Sequence, residues 1–251
     1  MKRYLIINAD DFGLCHSANA AVMELFEGGF IKSSTIMTPC PGAEEAVAFA
    51  KDHPEYAIGV HLTHTNEWEE KFPWGPLTDG ASLKTPEGRM WPESDVFEAH
   101  CDYDEAIAEA KAQIEFCESR GMKPSHVDSH MGALYGMNGK ILMLPKTLAL
   151  CGKKGYPFRM FSKPLASQCP PEAPQWLFTA ACRFSGFFGK VYHVPMPDYL
   201  IFPEKIDTGE TYEEFKRNFI EYLIRVPEGI SETYVHPALP TDEMKAITGT
   251  W

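Results

Sequence analysis

Two adjacent carboxylates follow a short apolar run near the beginning of the sequence. Residues 4–7 are bulky and apolar, which is typical of a buried parallel strand, and Asp10 and Asp11 come shortly after them. Desolvated carboxylates repel each other, and a bound cation is a common way for a protein to relieve that repulsion. Because active sites collect at the carboxyl ends of parallel strands, the pattern predicts a metal site here. A helix-capping role for the same pair is the structural alternative.

Two histidines stand at the ends of later predicted strands. His61 closes the apolar stretch 57–60, and His130 follows a predicted strand over 124–129. One carboxylate and two imidazoles form a common ligand set for a divalent ion such as Mg²⁺ or Zn²⁺, and they leave coordination positions open. Such an ion lowers the pKa of its water to about 7 and polarises a carbonyl oxygen. We therefore predict Asp11, His61 and His130 as the metal ligands, although a single histidine at a strand end is more often structural.

The segment before His130 has alternating polar residues. His126, Asp128 and His130 share one face if the segment is a strand, whereas in a helix the two histidines would form an i,i+4 pair. The preceding Pro124 and the β-branched Val127 favour the strand. In that case His130 is the ligand at the outer end, and we expect Asp128 to orient a neighbouring imidazole.

Three further residues are candidates for catalysis. Asp10 is predicted to act as the general base beside the water of the metal, which requires the strand to turn, and Gly13 permits that turn. His236 follows a predicted strand over 232–235 and fits a general acid or an oxyanion donor. Arg159 can stabilise an oxyanion or hold a carboxylate, and the sequence leaves these two roles open beside a structural salt bridge.

Apolar runs and helical segments alternate along the whole chain. This alternation predicts an α/β fold with parallel strands, most simply a closed or nearly closed (β/α) barrel in one domain over 1–251. The predicted strands cover 4–7, 33–37, 56–62, 124–129, 156–161, 190–194 and 232–235. The predicted helices cover 16–28, 42–52, 95–120, 139–154 and 213–225, with a further helix beginning near 241.

A long segment without periodicity interrupts this pattern at 63–92. It contains Trp68, Phe72, Trp74 and Trp91 among many prolines and glycines. Loops of this length are more often functional than idle. The aromatic rings would either face the apolar side of a sugar or pack on the body of the protein as a cap, and both interpretations remain open.

The composition excludes several classes of protein. The 251 residues carry a net charge of −12 without a basic block, which argues against a nucleic-acid surface. No apolar run approaches the roughly 20 residues of a membrane span, so we expect no membrane association. The seven cysteines form no C-x-x-C pair, which is typical of reduced thiols and predicts a cytoplasmic location.

The motifs resemble those of the YdjC-like carbohydrate deacetylase family, which includes chito-oligosaccharide deacetylases. Four segments match, and together they span nearly the whole chain. The first and third of them are quite specific. The matching segments are Asn8-Ala9-Asp10-Asp11-Phe12-Gly13, Gly59-Val60-His61-Leu62, Lys123-Pro124-Ser125-His126-Val127-Asp128-Ser129-His130 and Val235-His236-Pro237.

This resemblance implies a distorted β/α barrel related to polysaccharide deacetylases. It also implies one divalent ion held by Asp11, His61 and His130, and hydrolysis of the acetamide of an amino sugar with Asp10 as base and His236 as acid. The expected partner is a small N-acetylated sugar or oligosaccharide, and self-association into a homodimer is left open. The chain departs from the family pattern in the residues that follow His130 and His236.

Two alternative functions remain open at this point. One is a metal-dependent hydrolase of another bond, either a phosphoester or a different amide. The other is a non-catalytic sugar-binding protein with a structural metal. Replacement of Asp10 by Asn separates an enzyme, which would keep its metal and lose turnover, from a binding protein, which would keep both its metal and its role.

Overall fold

The computed structural model describes residues 2–68, 70–171, 173–201 and 211–249. Its centre is a sheet of six parallel strands curled into a half-barrel, so the predicted α/β barrel-like fold is confirmed. That residues 1–251 form a single domain stays a prediction. The strands are β1 (Arg3–Phe12), β2 (Ser33–Ile36), β3 (Ala57–Leu62), β4 (Val127–Ser129), β5 (Tyr199–Leu200) and β6 (Gly229–Val235). They lie in the order β4-β3-β2-β1-β6-β5.

Helices connect the strands. Several have the expected end signals: the helix over 103–119 begins at Asp102, whose carboxylate accepts from two backbone N–H groups, and that over 143–154 ends at Gly155 with φ 81°. In the described ranges, no helix is both long and apolar enough to cross a membrane. The helices are α1 (His16–Glu27), α2 (Ala43–Asp52), α3 (Ser94–His100), α4 (Tyr103–Ser119), α5 (Met143–Lys154), α6 (Gln175–Val191), α7 (Tyr212–Leu223) and α8 (Asp242–Thr248).

The two faces of the sheet differ in polarity because side chains alternate along a strand. On β1, Ala9 belongs to the apolar core, whereas Asn8 and Asp10 belong to a buried polar network. The Asn8 side-chain amide donates to Asp10 Oδ1 at 2.7 Å and to Thr35 Oγ1 of β2 at 3.0 Å. The interior of the half-barrel is therefore a buried polar network rather than a packed apolar core.

The main apolar core lies between the sheet and the helices that cover it. Val22 and Phe26 of α1, Ile114 of α4 and Leu148 of α5 are buried there together with Val60 of β3. Each large side chain buried in this way contributes about 1.5–3 kcal/mol. This layer holds the strands in place, so their inner residues keep fixed positions.

The predicted helix over 95–120 is wrong as a single element. The chain is extended at Cys101, with φ −64° and ψ 141°, and this break separates α3 from α4. The Asp102 side chain accepts hydrogen bonds from the N–H groups of Asp104 and Glu105, which begins a new helix at that point. The helical composition on both sides of the break concealed it.

Two predicted strands are also wrong. Residues 190–194 do not form a strand, because α6 extends to Val191 with Cys182, Ser185 and Gly189 on its buried side. Residues 156–161 form only an isolated bridge, in which Phe158 pairs with Val127 of β4. The backbone N–H of Arg159 still donates to the Val127 carbonyl at 2.9 Å, so this segment carries its arginine into the half-barrel without forming a regular strand.

Candidate metal centre and active site

A bulge at the end of β1 turns the two adjacent carboxylates toward one site. The pairing of β1 with β2 shifts register between Ala9 and Phe12, and Asp11 adopts a left-handed conformation with φ 62°. Left-handed backbone at a residue other than glycine is uncommon and concentrates at functional sites. Sequence reasoning assigned the turn to Gly13, which does have φ 91°, but the strand already turns at Asp11.

The three predicted ligand atoms lie close together. Asp11 Oδ1 is 3.4 Å from His61 Nε2 and 3.5 Å from His130 Nδ1, and the two nitrogens are 3.3 Å apart. Ligand atoms at tetrahedral angles around a divalent ion such as zinc are separated by about 3.3–3.5 Å. Asp11 Oδ1 is buried and has no hydrogen-bond partner among the described residues, as expected of an atom that binds a cation. We call Asp11, His61 and His130 the metal cluster, because its donors fit a metal ion.

Each imidazole of the metal cluster contacts a carboxylate through the ring nitrogen that does not face Asp11. His61 Nδ1 is 2.6 Å from Asp128 Oδ1, and His130 Nε2 is 2.9 Å from Glu67 Oε2. Such contacts fix the tautomer and the orientation of metal-binding histidines. The contact of Asp128 agrees with its expected role, whereas sequence reasoning did not identify Glu67, which lies in a segment without periodicity.

The electrostatics of the metal cluster favour bound positive charge. Burial by itself would raise the pKa of the Asp11 carboxyl, but His130 and His61 hold it well below its usual value. Against the lowering effect of burial, the Asp128 carboxylate raises the pKa of His61 well above its ordinary value. Burial likewise opposes the effect of Glu67 and Asp11, which raise the pKa of His130 to about 9. A divalent ion would supply the positive charge that these groups otherwise take from protons.

Three buried carboxylates surround a guanidinium close to the metal cluster. Arg159 donates from Nη1 to Asp10 Oδ2 and from Nη2 to Asp10 Oδ1, each at 2.7 Å. Its Nη2 is also 2.9 Å from Asp128 Oδ2, and its Nε donates to Glu232 Oε1 at 2.6 Å. We call Asp10, Asp128, Glu232 and Arg159 the arginine cluster. Asp10 and Asp128 also form a potential ligand set with His61, but their charges already have a cation partner in Arg159.

A cleft of about 530 Å³ opens over these clusters. The residues after His130 form part of its wall in an unusual conformation, with φ 48° at Met131 and φ 63° at Gly132. The imidazole of His236 lies 5.3 Å from the ring of Tyr234, also in the wall. All six residues that the sequence predicts for the site line this cleft, namely Asp10, Asp11, His61, His130, Arg159 and His236.

The aromatic residues of 63–92 divide between the two interpretations left open by the sequence. Trp74 is buried in a small apolar cluster and donates its indole N–H to the Thr65 carbonyl at 3.0 Å. Trp91 stacks on the ring of His100, with the centroids 4.0 Å apart. Trp68 is partly buried against the same small cluster and also lines the cleft. The segment therefore packs as a cap, and Trp68 is the tryptophan that it contributes to the cleft wall.

Two other histidines lie outside the cleft, of which His64 is buried and His126 is half-buried. His64 Nε2 lies 3.0 Å from the Ala106 carbonyl oxygen, so this imidazole donates a structural hydrogen bond to it. His126 Nδ1 is 2.8 Å from Ser125 Oγ, and its backbone approaches Gly59 so closely that a Cβ there would lie 2.4 Å from the His126 carbonyl oxygen. Neither imidazole lines the cleft over the metal cluster.

Comparison with known proteins agrees with these motifs. A family model described as YdjC-like protein matches residues 4–250. A carbohydrate deacetylase of Geobacillus stearothermophilus is 37% identical over 130 residues, which are 52% of this chain and 50% of that protein. A chitooligosaccharide deacetylase of Yersinia enterocolitica is 35% identical over 136 residues, which are 52% of this chain and 50% of that protein. The matched part thus spans about half the length of these curated relatives.

A solved structure resembles the chain over almost its full length. It is a crystal structure from Enterococcus faecalis V583, provisionally described as a cellobiose-phosphate cleavage protein, with a TM-score of 0.75 and 28% sequence identity. The match covers 99% of this chain and 86% of that one. Together with the family model, which spans both clusters of the cleft, this likeness shows that the chain belongs to the YdjC-like family.

Proposed function

We propose that the protein is a metal-dependent hydrolase that removes the N-acetyl group from an acetylated amino sugar or a short oligosaccharide. The observation that carries this proposal is the metal cluster, whose three donor atoms lie within 3.5 Å of one another beside the fixed carboxylate of Asp10. The names of the family relatives supply the substrate class. All seven cysteines are free, which agrees with a reducing compartment and supports the cytoplasm as its location.

Asp11, His61 and His130 would hold one divalent ion, for which Mg²⁺ and Zn²⁺ are the first candidates. When bound, such an ion supplies a nucleophilic water at neutral pH and polarises the acetyl carbonyl. A set of three protein ligands would leave at least one coordination position free for a small molecule. All three side chains line the cleft, so a small molecule in the cleft would be able to reach an ion that they hold.

Asp10 is the proposed general base. Its carboxylate is fixed by two hydrogen bonds from Arg159 and one from Asn8, each 2.7 Å long, and its Oδ2 lies 3.9 Å from His61 Nε2. A base held in this way can take a proton from the attacking water without reorganising. Of the two functional roles that the sequence left open for Arg159, its contacts support the one in which it holds a carboxylate.

His236 is the proposed general acid. It follows β6 and lines the same cleft, beside Tyr234. In the proposed reaction the water oxygen bonds to the acetyl carbon, and the C–N bond breaks as His236 gives a proton to the leaving nitrogen. The products are acetate and a free amino sugar. Hydrolysis of a phosphoester or of another amide, and metal-bound sugar binding without turnover, remain the competing functions.

The direct test is acetate release from N-acetylglucosamine, its dimer and its 6-phosphate, after chelation and return of each metal. We expect metal-dependent release that Asp10→Asn lowers by about 10²–10⁴-fold in kcat while its metal content is unchanged. Asp79→Asn, which alters a fully exposed carboxylate, is the matched control. If the protein binds metal but releases no acetate from any of these substrates, the result would favour one of the competing functions.

A further inference from the structure

We propose that Glu67 is a positioning residue that fixes His130 for metal binding and joins the segment 63–92 to the metal cluster. This inference rests on the metal-dependent function proposed above. Glu67 Oε2 lies 2.9 Å from His130 Nε2, and the His130 side chain is only 5% exposed. Glu67 therefore contacts the edge of the imidazole that faces away from Asp11 and His61.

The contact determines which nitrogen of His130 is free to bind an ion. A neutral imidazole carries one N–H, and donation of Nε2–H to Glu67 leaves the lone pair on Nδ1. His130 Nδ1 is the atom that lies 3.5 Å from Asp11 Oδ1 and 3.3 Å from His61 Nε2. Without the carboxylate, either tautomer is allowed and the ring can rotate, so part of the free energy of metal binding is spent on ordering it.

His61 provides an internal comparison. Asp128 holds its Nδ1 at 2.6 Å, which leaves Nε2 for the ion, so the two histidines present different nitrogens to one point. The difference follows from where their carboxylates lie. Asp128 comes from β4, next to β3 in the sheet, whereas Glu67 reaches His130 from outside the sheet.

Glu67 lies on a part of the segment 63–92 that is well anchored. The neighbouring Asn66 is fully buried, and its backbone N–H donates to the Trp91 carbonyl at 2.8 Å while its side-chain amide donates to the Trp74 carbonyl at 3.2 Å. Asn66 Oδ1 also accepts from the backbone N–H of Trp68, which lines the cleft. Glu67 therefore links an ordered cleft wall to a metal ligand. Because Asn66 anchors the wall, we expect loss of the Glu67 carboxylate to weaken metal binding and to leave the wall in place.

Metal affinity tests this role without reference to turnover. We would measure the dissociation constant of Zn²⁺ by competition with a chromophoric chelator, for metal-stripped wild type and variants. Glu67→Ala should weaken binding by about 10–100-fold. Glu67→Gln keeps an acceptor for Nε2–H but loses the charge, so we expect a smaller loss of about 3–10-fold. Glu87→Gln is the matched control, since it changes an exposed glutamate in the same segment, and its affinity should stay within twofold of wild type.

A spectroscopic measurement separates positioning from direct ligation. At saturating Co²⁺, Glu67→Ala should keep the visible absorption of the wild-type site, because Asp11, His61 and His130 all remain. A spectrum that shows a lost ligand would overturn the proposal by making Glu67 a ligand itself. Affinity of Glu67→Ala within twofold of wild type would also overturn it. If Glu67→Ala does not fold in its metal-free form, the same twofold limit applied to Glu67→Gln decides.

These results are independent of the proposed reaction. A wild type that binds Zn²⁺ but releases no acetate would contradict the deacetylase proposal, while the affinities of the Glu67 variants would still test its positioning role. A wild type that binds no Zn²⁺, Co²⁺ or Mg²⁺ would overturn both.

Discussion

The half-barrel contains two neighbouring groups of buried ionisable side chains that differ in the source of their positive charge. In the arginine cluster, Asp10, Asp128 and Glu232 surround Arg159, which supplies a permanent cation. In the metal cluster, the carboxylate of Asp11 has two imidazoles beside it and an oxygen to which no residue in the described part of the chain donates a hydrogen bond. The first group is complete within the chain, whereas the second fits an exchangeable ion.

This difference separates folding from chemistry. A guanidinium is always charged and holds carboxylates in a fixed, forked geometry, so it suits a group that must be ordered in every state of the protein. A metal ion offers open coordination positions and a Lewis acid, which an arginine does not. Asp10 belongs to the arginine cluster but lines the cleft, so the proposed base is held in place whether or not an ion is bound.

The largest effect on stability is expected when the cation of the arginine cluster is removed. Arg159→Gln leaves three buried carboxylates without their common partner and should lower the free energy of unfolding by about 3–5 kcal/mol. Urea unfolding of the metal-free protein measures this loss. The matched control is Arg120→Gln, whose partner Glu44 is exposed, and it should cost about 1 kcal/mol or less.

Equal losses in these two arginine variants would contradict the comparison. They would mean that the buried carboxylates can take up protons or water at little cost once Arg159 is gone. The arginine cluster would then depend on its cation no more strongly than a surface ion pair does.

The metal cluster should respond to an added ion. At a Zn²⁺ concentration about 100 times its dissociation constant, the free energy of unfolding should rise by about 2.7 kcal/mol in wild type. Asp11→Asn removes the only carboxylate of the metal cluster and should abolish most of that rise, whereas Asp79→Asn, at an exposed carboxylate, should keep it. The measurement is urea unfolding with and without Zn²⁺. An undiminished rise in Asp11→Asn would place the ion elsewhere.

The residues of the metal cluster could be predicted because each of them lies at the end of a predicted strand. Strand ends of a parallel sheet converge, so Asp11, His61 and His130 were expected to meet, and the structure brings them within 3.5 Å. Glu67 could not be predicted in the same way. It lies 63 residues from its partner His130 along the chain, in a segment without periodicity, and only the folded structure joins them.

The arginine cluster and the edge of the sheet show a second limit of sequence reasoning. Arg159 was recognised as a candidate, but its three carboxylate partners come from distant segments that no local pattern connects. β5 has two residues, too few for a period-2 pattern, and α6 is rich in aromatic residues that also favour strands. Their structure depends on packing rather than on local preference.

The smallest predicted effect concerns His126, an imidazole beside the arginine cluster. Burial lowers the pKa of His126 to about 4, and Arg159 adds to the lowering while Asp128 opposes it. In the metal cluster, carboxylates instead raise the pKa of His130 to about 9. The pKa of the imidazole beside the arginine cluster and the pKa of the imidazole in the metal cluster are therefore shifted in opposite directions.

For a histidine whose pKa is lowered on folding, the unfolded state binds more protons between the two pKa values, so acid favours unfolding. The stability associated with neutral His126 should be complete above about pH 6.5 and decline toward pH 4. Between pH 7 and 4.5 the wild type should therefore lose up to about 2 kcal/mol more unfolding free energy than His126→Gln, which cannot be protonated. Urea unfolding in the presence of a chelator isolates this effect from metal binding. Parallel pH profiles for the two proteins would show that water reaches His126, and that the half-barrel is open beside the arginine cluster.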